Sequence, residues 1–358
     1  MTRSLLLASA ALAGLPMAAL AAPRVVTDLP PVGALVAQVM QGVGTPEVLL
    51  TDGTDGHHHQ LRPSEARQVA GADLLVWMGP QMTPWLDAAA DTLASGQGLA
   101  LLEVPDTHLH AGHEHHHGEG DDHGHADGDH DHDHADEEHE HEHAEGEDHD
   151  HAEGEEHHHD HADAAHGHDP AASEGGDHGH DHDGHDHGGI DPHAWLDPAN
   201  AQRWLDVIAE ALAAQDPDNA ETYRANAAEG RAAIDAAVAE ARAILAGHDS
   251  RFVVSHDALG YFTEAMNLPP ALALAGLTDN APSAGTLRRL RREIADAGAA
   301  CMHPEAGKDP RAFTSLDGLG LQLGAPLDIL GTTQGEAVSY PALLTGLARA
   351  IADCPAGG

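Results

Sequence analysis

Between residues 108 and 187 the chain carries 27 of its 34 histidines and no Lys or Arg. Runs such as His130-Asp131-His132-Asp133-His134 and His157-His158-His159-Asp160-His161 alternate imidazole with carboxylate. Imidazole is the common borderline ligand for zinc, copper and nickel, and carboxylates surround it with negative charge. A chain so rich in this pairing handles a transition metal. The stretch is either the binding site itself or an accessory to one elsewhere.

Seven histidines stand outside it: His57, His58, His59, His193, His248, His256 and His303. A zinc site needs three or four ligands drawn from separate elements. His256 directly follows the predicted strand Phe252–Ser255, and His57 to His59 follow the strand Val48–Leu50. Ligands of open α/β sheets bind beyond the carboxyl ends of strands, so these positions can meet across an interdomain cleft. His193 follows Asp191-Pro192, a stiff approach, and precedes Ala194-Trp195, which can shield a site from water. Within 57–59 one ligand is expected rather than three, because neighbouring side chains point different ways. His193 is read as a ligand or a core residue. His248 and His303 are read as surface or packing residues. Asp328 either caps the following Gly331 turn or offers a carboxylate oxygen to the cleft.

The elements that must position these residues alternate strand and helix, which indicates parallel βα units. Strands are predicted at Arg24–Thr27, Glu47–Leu50, Asp73–Met78 and Leu99–Glu103, with helices near 32–41 and from Pro63. The His-rich stretch interrupts this first block. It has almost no apolar residue beyond alanine and cannot offset its ordering entropy, so it reads as a disordered loop. Regular pattern resumes at Ile190, and a surface loop tolerates such an insertion because closure cost grows only logarithmically. Asp197-Pro198 caps a helix over 199–214. Tyr223, Ala227, Ile234, Val238, Ala241 and Leu245 then trace one face of a helix over 217–246, long enough to act as a rigid connector. The second block has predicted strands at Arg251–Ser255, Ala299–Met302 and Pro326–Leu330. Its predicted helices lie at Thr286–Ala297, Pro310–Gly318 and Tyr340–Ala352.

The expected fold class is α/β: two lobes with parallel sheets joined by a long helix. The expected organisation is a signal peptide over 1–21, an N-terminal lobe over 22–215 with the acidic loop at 106–188, a linking helix over 216–247, and a C-terminal lobe over 248–358. The signal reading rests on Arg3, the apolar run Leu5 to Leu15, and Ala19-Leu20-Ala21 as an A-x-A cleavage site. An anchoring helix is the alternative, but the run is short for a span. No Cys near the site can carry a lipid, so a soluble periplasmic protein is expected. The two cysteines, Cys301 and Cys354, form one disulfide in an exported chain, or remain two buried thiols. The net charge of −44 is concentrated: 28 Asp and Glu fall within 108–187, which leaves 32 acids against 16 bases elsewhere. Nothing here suits nucleic acid, which needs basic patches.

Three motifs resemble those of ZnuA-type zinc-binding proteins, the periplasmic solute-binding subunits of zinc-uptake ABC transporters. The first is Asp52-Gly53 with His57 and Leu61-Arg62-Pro63-Ser64, followed by Ala72-Asp73-Leu74-Leu75-Val76-Trp77-Met78-Gly79. The second is Asp191-Pro192-His193-Ala194-Trp195-Leu196-Asp197-Pro198, and the third is Ser255-His256-Asp257-Ala258-Leu259-Gly260-Tyr261-Phe262. They stand in the family's order, and a His-rich insertion before the second is also a family trait. The resemblance implies a Zn²⁺ site between two lobes, with His57, His193 and His256 as ligands. Imidazole at His256, where manganese-binding relatives carry a carboxylate, favours zinc. It also implies the Cys301–Cys354 disulfide. One departure is Gly56, where some members have glutamate; this leaves Asp328 or water as the fourth ligand.

The resemblance implies capture of Zn²⁺ as transported cargo, not catalysis. The implied partners are an inner-membrane ABC zinc permease and a periplasmic zinc metallochaperone, with the protein a monomer. The His-rich loop is then an accessory low-affinity zinc collector, or a passive buffer. A zinc hydrolase is the rival from another class, against which stands the absence of H-E-x-x-H. A storage protein whose loop does all the binding is the other.

Overall fold

The computed structural model describes residues 22–51, 56–93, 96–111, 189–277, 281–335 and 338–354. The predicted signal peptide, Asp52-Gly53 and nearly all of the His-rich stretch lie outside the described residues. In chain order the first lobe contains β1 (Val25–Thr27), α1 (Pro30–Val39), β2 (Glu47–Val48), α2 (Pro63–Ala70), β3 (Leu74–Trp77), α3 (Pro84–Leu93) and β4 (Gln97–Ala100). Then come two long helices, α4 (Pro198–Gln215) and α5 (Ala220–Ile244). The second lobe holds β5 (Val253–His256), α6 (Gly260–Met266), β6 (Leu272–Ala275), α7 (Ala284–Ala297), β7 (Cys301–His303), β8 (Gln322–Leu323) and α8 (Tyr340–Ala352).

Each lobe is built on a four-stranded sheet, ordered β2-β1-β3-β4 in the first and β6-β5-β7-β8 in the second. Every pairing within them is parallel. The pattern explains itself locally: β3 reads Leu-Leu-Val-Trp and is buried at every position, as a parallel strand covered on both faces must be. The central strand β5 ends on His256, one of the residues singled out above. Asp28, just past β1, accepts from the backbone N–H groups of Leu29 and Met78 and from the Thr83 hydroxyl. Burial pushes its carboxyl up to about 6. These bonds fix the turn after β3 that carries Met82.

The long helix α5 spans 25 residues, about 38 Å at the α-helical rise. Its inner face runs Tyr223, Ala227, Gly230, Ile234, Ala237 and Ala241, alternating steps of four and three. It packs along α4, α1 and α8. One apolar cluster takes in residues of both lobes and this face. Gly230 is a point of close approach: a Cβ there would sit 2.8 Å from Gln38 Cγ and 2.9 Å from Leu205 Cδ1.

Several expectations are corrected. Pro326–Leu330 is not a strand. The outer strand is Gln322–Leu323, and Leu327 makes only an isolated parallel bridge to Glu305. Pro326 lacks the N–H that a ladder would need. The stretch Leu101–Glu103 turns into a 3-10 helix after β4, and Pro310–Leu316 is 3-10 rather than α. The pattern missed α3, α6 and β6. Cys301 and Cys354 form a disulfide with Cα atoms 6.0 Å apart, joining the start of β7 to the turn beyond α8. Among the described residues no helix is long and apolar enough to cross a membrane.

Candidate metal centre

His193 and His256 come together although 63 residues separate them: their Nε2 atoms lie 3.3 Å apart. His193 is 1% exposed and His256 8%. Each ring is held from behind by a carboxylate. Asp191 Oδ1 lies 2.7 Å from His193 Nδ1 and also accepts the His193 backbone N–H. Glu305 Oε2 lies 3.0 Å from His256 Nδ1. The hydrogen-bonded carboxylate at His193 Nδ1 draws the ring proton there and leaves Nε2 as a lone pair. That lone pair faces Nε2 of His256 across the cleft. A tetrahedral zinc with bonds of about 2.0–2.1 Å sets neighbouring ligand nitrogens about 3.3 Å apart.

His57 supplies the third ring, its centroid 5.5 Å from that of His193. The cavity between the rings is lined by His57, Met82, His193, Trp195, His256 and Glu305, with Ile329 and Leu330 as an apolar wall. It holds about 20 Å³, room for a single ion or water. Lys308 also lines it. The second motif is tied to the C-terminal lobe on several sides. Trp195 Nε1 donates to Ile329 O, Tyr340 donates to Trp195 O, and Tyr261 donates to Asp191 O. Burial raises both phenols well above their usual range, so they remain donors.

The His57–His59 run divides its labour. His57 lines the cavity, and His58 is exposed. His59 faces away: its Nε2 is 2.8 Å from Glu65 Oε2 and its ring packs edge-on against Trp85. Glu65 in turn accepts the Arg62 N–H and caps α2. His303 is fully buried, with Nδ1 donating to Ala325 O, and burial lowers its pKa. His248 is half-buried in the turn after α5. Asp328 does not line the cavity. Its carboxylate accepts from the backbone N–H groups of Thr332 and Thr333 and from both hydroxyls. At Gly56 an added Cβ would lie 2.6 Å from Met82 Cε, so the end of the Met82 side chain would have to shift to admit one. Met82 brings a thioether to the cavity wall beside Gly56.

Sequence reasoning missed Glu305, Asp191 and Met82 as parts of this centre. Glu305 had a findable signal, since it follows β7 at a strand's carboxyl end beside the strand that carries His256. Asp191 was legible as the residue two before His193.

Comparison with known proteins shows the family. The family model described as zinc-uptake complex component A, periplasmic (ZnuA), matches residues 25–354. The chain belongs to the ZnuA family. The high-affinity zinc uptake system protein ZnuA of Paracoccus denitrificans is 49% identical over 339 residues, covering 93% of this chain and 91% of that protein. The protein of the same name in Brucella abortus is 34% identical over 365 residues, covering 98% of each. Among solved structures, the periplasmic zinc binding protein TroA from Treponema pallidum aligns with a TM-score of 0.67 at 16% identity, covering 94% of this chain and all of that one. A periplasmic metal binding protein from Candidatus Liberibacter asiaticus aligns at 0.63 and 16%, covering 93% and 99%. These two structures share the two-lobed α/β fold.

Proposed function

We propose that this protein captures Zn²⁺ in the periplasm and delivers it to an inner-membrane ABC permease, acting as a monomer and catalysing no reaction of its own. Its relatives of the zinc-uptake family support that role. The observation that carries it is the pair of facing Nε2 atoms at 3.3 Å, each ring backed by a carboxylate. In this reading His57, His193 and His256 bind the ion as neutral imidazoles. The fourth position falls to water or to Asp328, which reaches it only by giving up Thr332 and Thr333. Cargo that bridges two lobes stabilises them together by mass action. The residues 1–21 serve as a cleaved export signal, and a periplasmic metallochaperone is a second partner. The His-rich insertion gathers zinc weakly at many exchangeable sites and raises the chance of rebinding near the cleft.

The test is zinc calorimetry against a competing chelator on the full mature chain, beside a variant with His57, His193 and His256 all replaced by alanine. The expected result is one tight equivalent in the parent and only weak, multiple binding in the variant. Tight binding that survives in the variant would overturn the assignment.

A further inference from the structure

A second trio of ligand atoms sits at the doorway of the His-rich insertion, away from the cleft. His108, His110 and Glu264 each offer one donor atom, and these lie within 4.8 Å of one another. The two histidines are the first of the His-rich stretch and lie at the end of the described segment 96–111, and Glu264 projects from α6, next in the chain after the loop that follows His256. We propose that His108, His110 and Glu264 form a second, solvent-open site for Zn²⁺ or a similar borderline divalent cation, completed by water.

The trio is built rather than accidental. The backbone of His108 is gripped from both sides: its N–H donates to Asn200 Oδ1 and its C=O accepts from Asn200 Nδ2. Its Nδ1 lies 2.8 Å from Asp197 Oδ2, so the ring proton is held there and Nε2 is left as a donor to metal. Asp197 also caps α4 by accepting the Ala199 N–H, which fixes the carboxylate itself. His110 is stacked on Tyr261, with centroids 3.9 Å apart and planes 9° from parallel. Its N–H donates to the Tyr261 hydroxyl, and its C=O accepts from Asp191 N–H. Gly260 leaves the ring space, since a Cβ there would come within 3.3 Å of His110 Nδ1.

The remaining atom decides the chemistry. His110 Nε2 is buried and makes no hydrogen bond among the described residues, yet Glu264 Oε2 lies 2.7 Å away. The pair lacks the alignment of a hydrogen bond, and an ion between them would move the exposed Glu264 carboxylate from 2.7 Å out to the about 3.3 Å that two ligands of one zinc require. Two imidazoles and a carboxylate suit zinc, with water in the open position. The Glu264 side chain is 62% exposed, so this site exchanges with solvent and binds more weakly than the cleft. It also touches the cleft indirectly: Asp191, which receives Tyr261 and gives its N–H to His110, is the residue that orients His193.

The inference is independent of the cleft assignment, and one experiment separates them. Crystals of the full mature chain soaked in zinc are measured at the zinc absorption edge, for the parent, for Glu264→Gln with His108→Ala, and for His193→Ala with His256→Ala. An anomalous peak bonded to His108, His110 and Glu264 is expected in the parent, lost in the first variant and kept in the second. Hydrogen exchange in solution supplies the matching readout: zinc slows exchange at 107–111 and 260–266 in the parent and in the cleft variant, but not in Glu264→Gln with His108→Ala. A parent peak in the cleft with none at the trio overturns the proposal. Equal zinc protection of 107–111 in the parent and the Glu264→Gln, His108→Ala variant does the same, because an ordinary surface ion pair between His110 and Glu264 predicts that result.

Discussion

The two halves of the cleft site reach the same arrangement by different routes. In the N-terminal half, His193 and its carboxylate Asp191 are two residues apart on one proline-stiffened tripeptide. In the C-terminal half, His256 and Glu305 are brought together by the pairing of β5 with β7. The first half is written into local sequence. The second depends on strand register, and on the disulfide that anchors the start of β7. The lesson is that equivalent ring-and-carboxylate geometry differs in what can undo it.

The comparison can be broken most directly by removing the rings. His193→Ala with His256→Ala should cost the cleft at least about a thousand-fold in zinc affinity, since structural-type zinc binding is worth on the order of 10 kcal/mol or more. A loss under tenfold in chelator competition would contradict the assignment. Next in size is the disulfide. Cys301→Ala with Cys354→Ala opens a loop of 53 residues and should lower stability by about 4 kcal/mol on the chain-entropy account, read by urea unfolding of the apoprotein.

The carboxylates sharpen the contrast. Asp191→Ala and Glu305→Ala should each weaken zinc by about 10–100-fold. The disulfide variant should be non-additive with Glu305→Ala and additive with Asp191→Ala, because only Glu305 follows the strand that the disulfide anchors. Equal coupling to both would mean that the halves are not built differently.

The smallest expected effect is on pH dependence. Burial lowers the pKa of His303 in β7, so the fold favours its neutral form. Its contribution is complete above the unfolded value, about 6.5, and is lost as pH falls below it. His303→Asn keeps a donor for Ala325 O and should flatten the decline of apoprotein stability below about pH 6.5. Asp28 in the first lobe acts with the opposite sign. Its pKa is raised to about 6, so stability is gained, not lost, as pH falls through that value toward the unfolded carboxylate range. Stability curves of the parent and His303→Asn that superimpose from pH 5 to 7 would reject the His303 part.

What the sequence revealed follows the same division. Short-range signals were legible: the strand that leads to His256, the Asp197 cap, the α5 face, and the turn of only one ring of His57–His59 into the cavity. Long-range pairing was not. β6 reads Leu-Ala-Leu-Ala after two prolines and gives no strong alternation to the eye, and α3 begins with Pro84-Trp85 and continues through small residues. Pro326–Leu330 resembled a strand because its apolar residues cluster, yet only Leu327 finds a partner. Glu305 was one carboxylate among 60 acids, and only the sheet tells which one meets His256. Asp328 showed both of its possible roles in the sequence, and its contacts with Thr332 and Thr333 belong to the turn.

The bare Cα of Gly230 has a consequence well away from any ligand. Three helices meet there with clearance for a hydrogen atom and nothing larger, so one added methyl group works as a shim. Alanine at this position gains about 1 kcal/mol of helix propensity but must push Gln38 and Leu205 outward. The widened seam would tilt the supports of both halves of the cleft while leaving every ligand chemically intact.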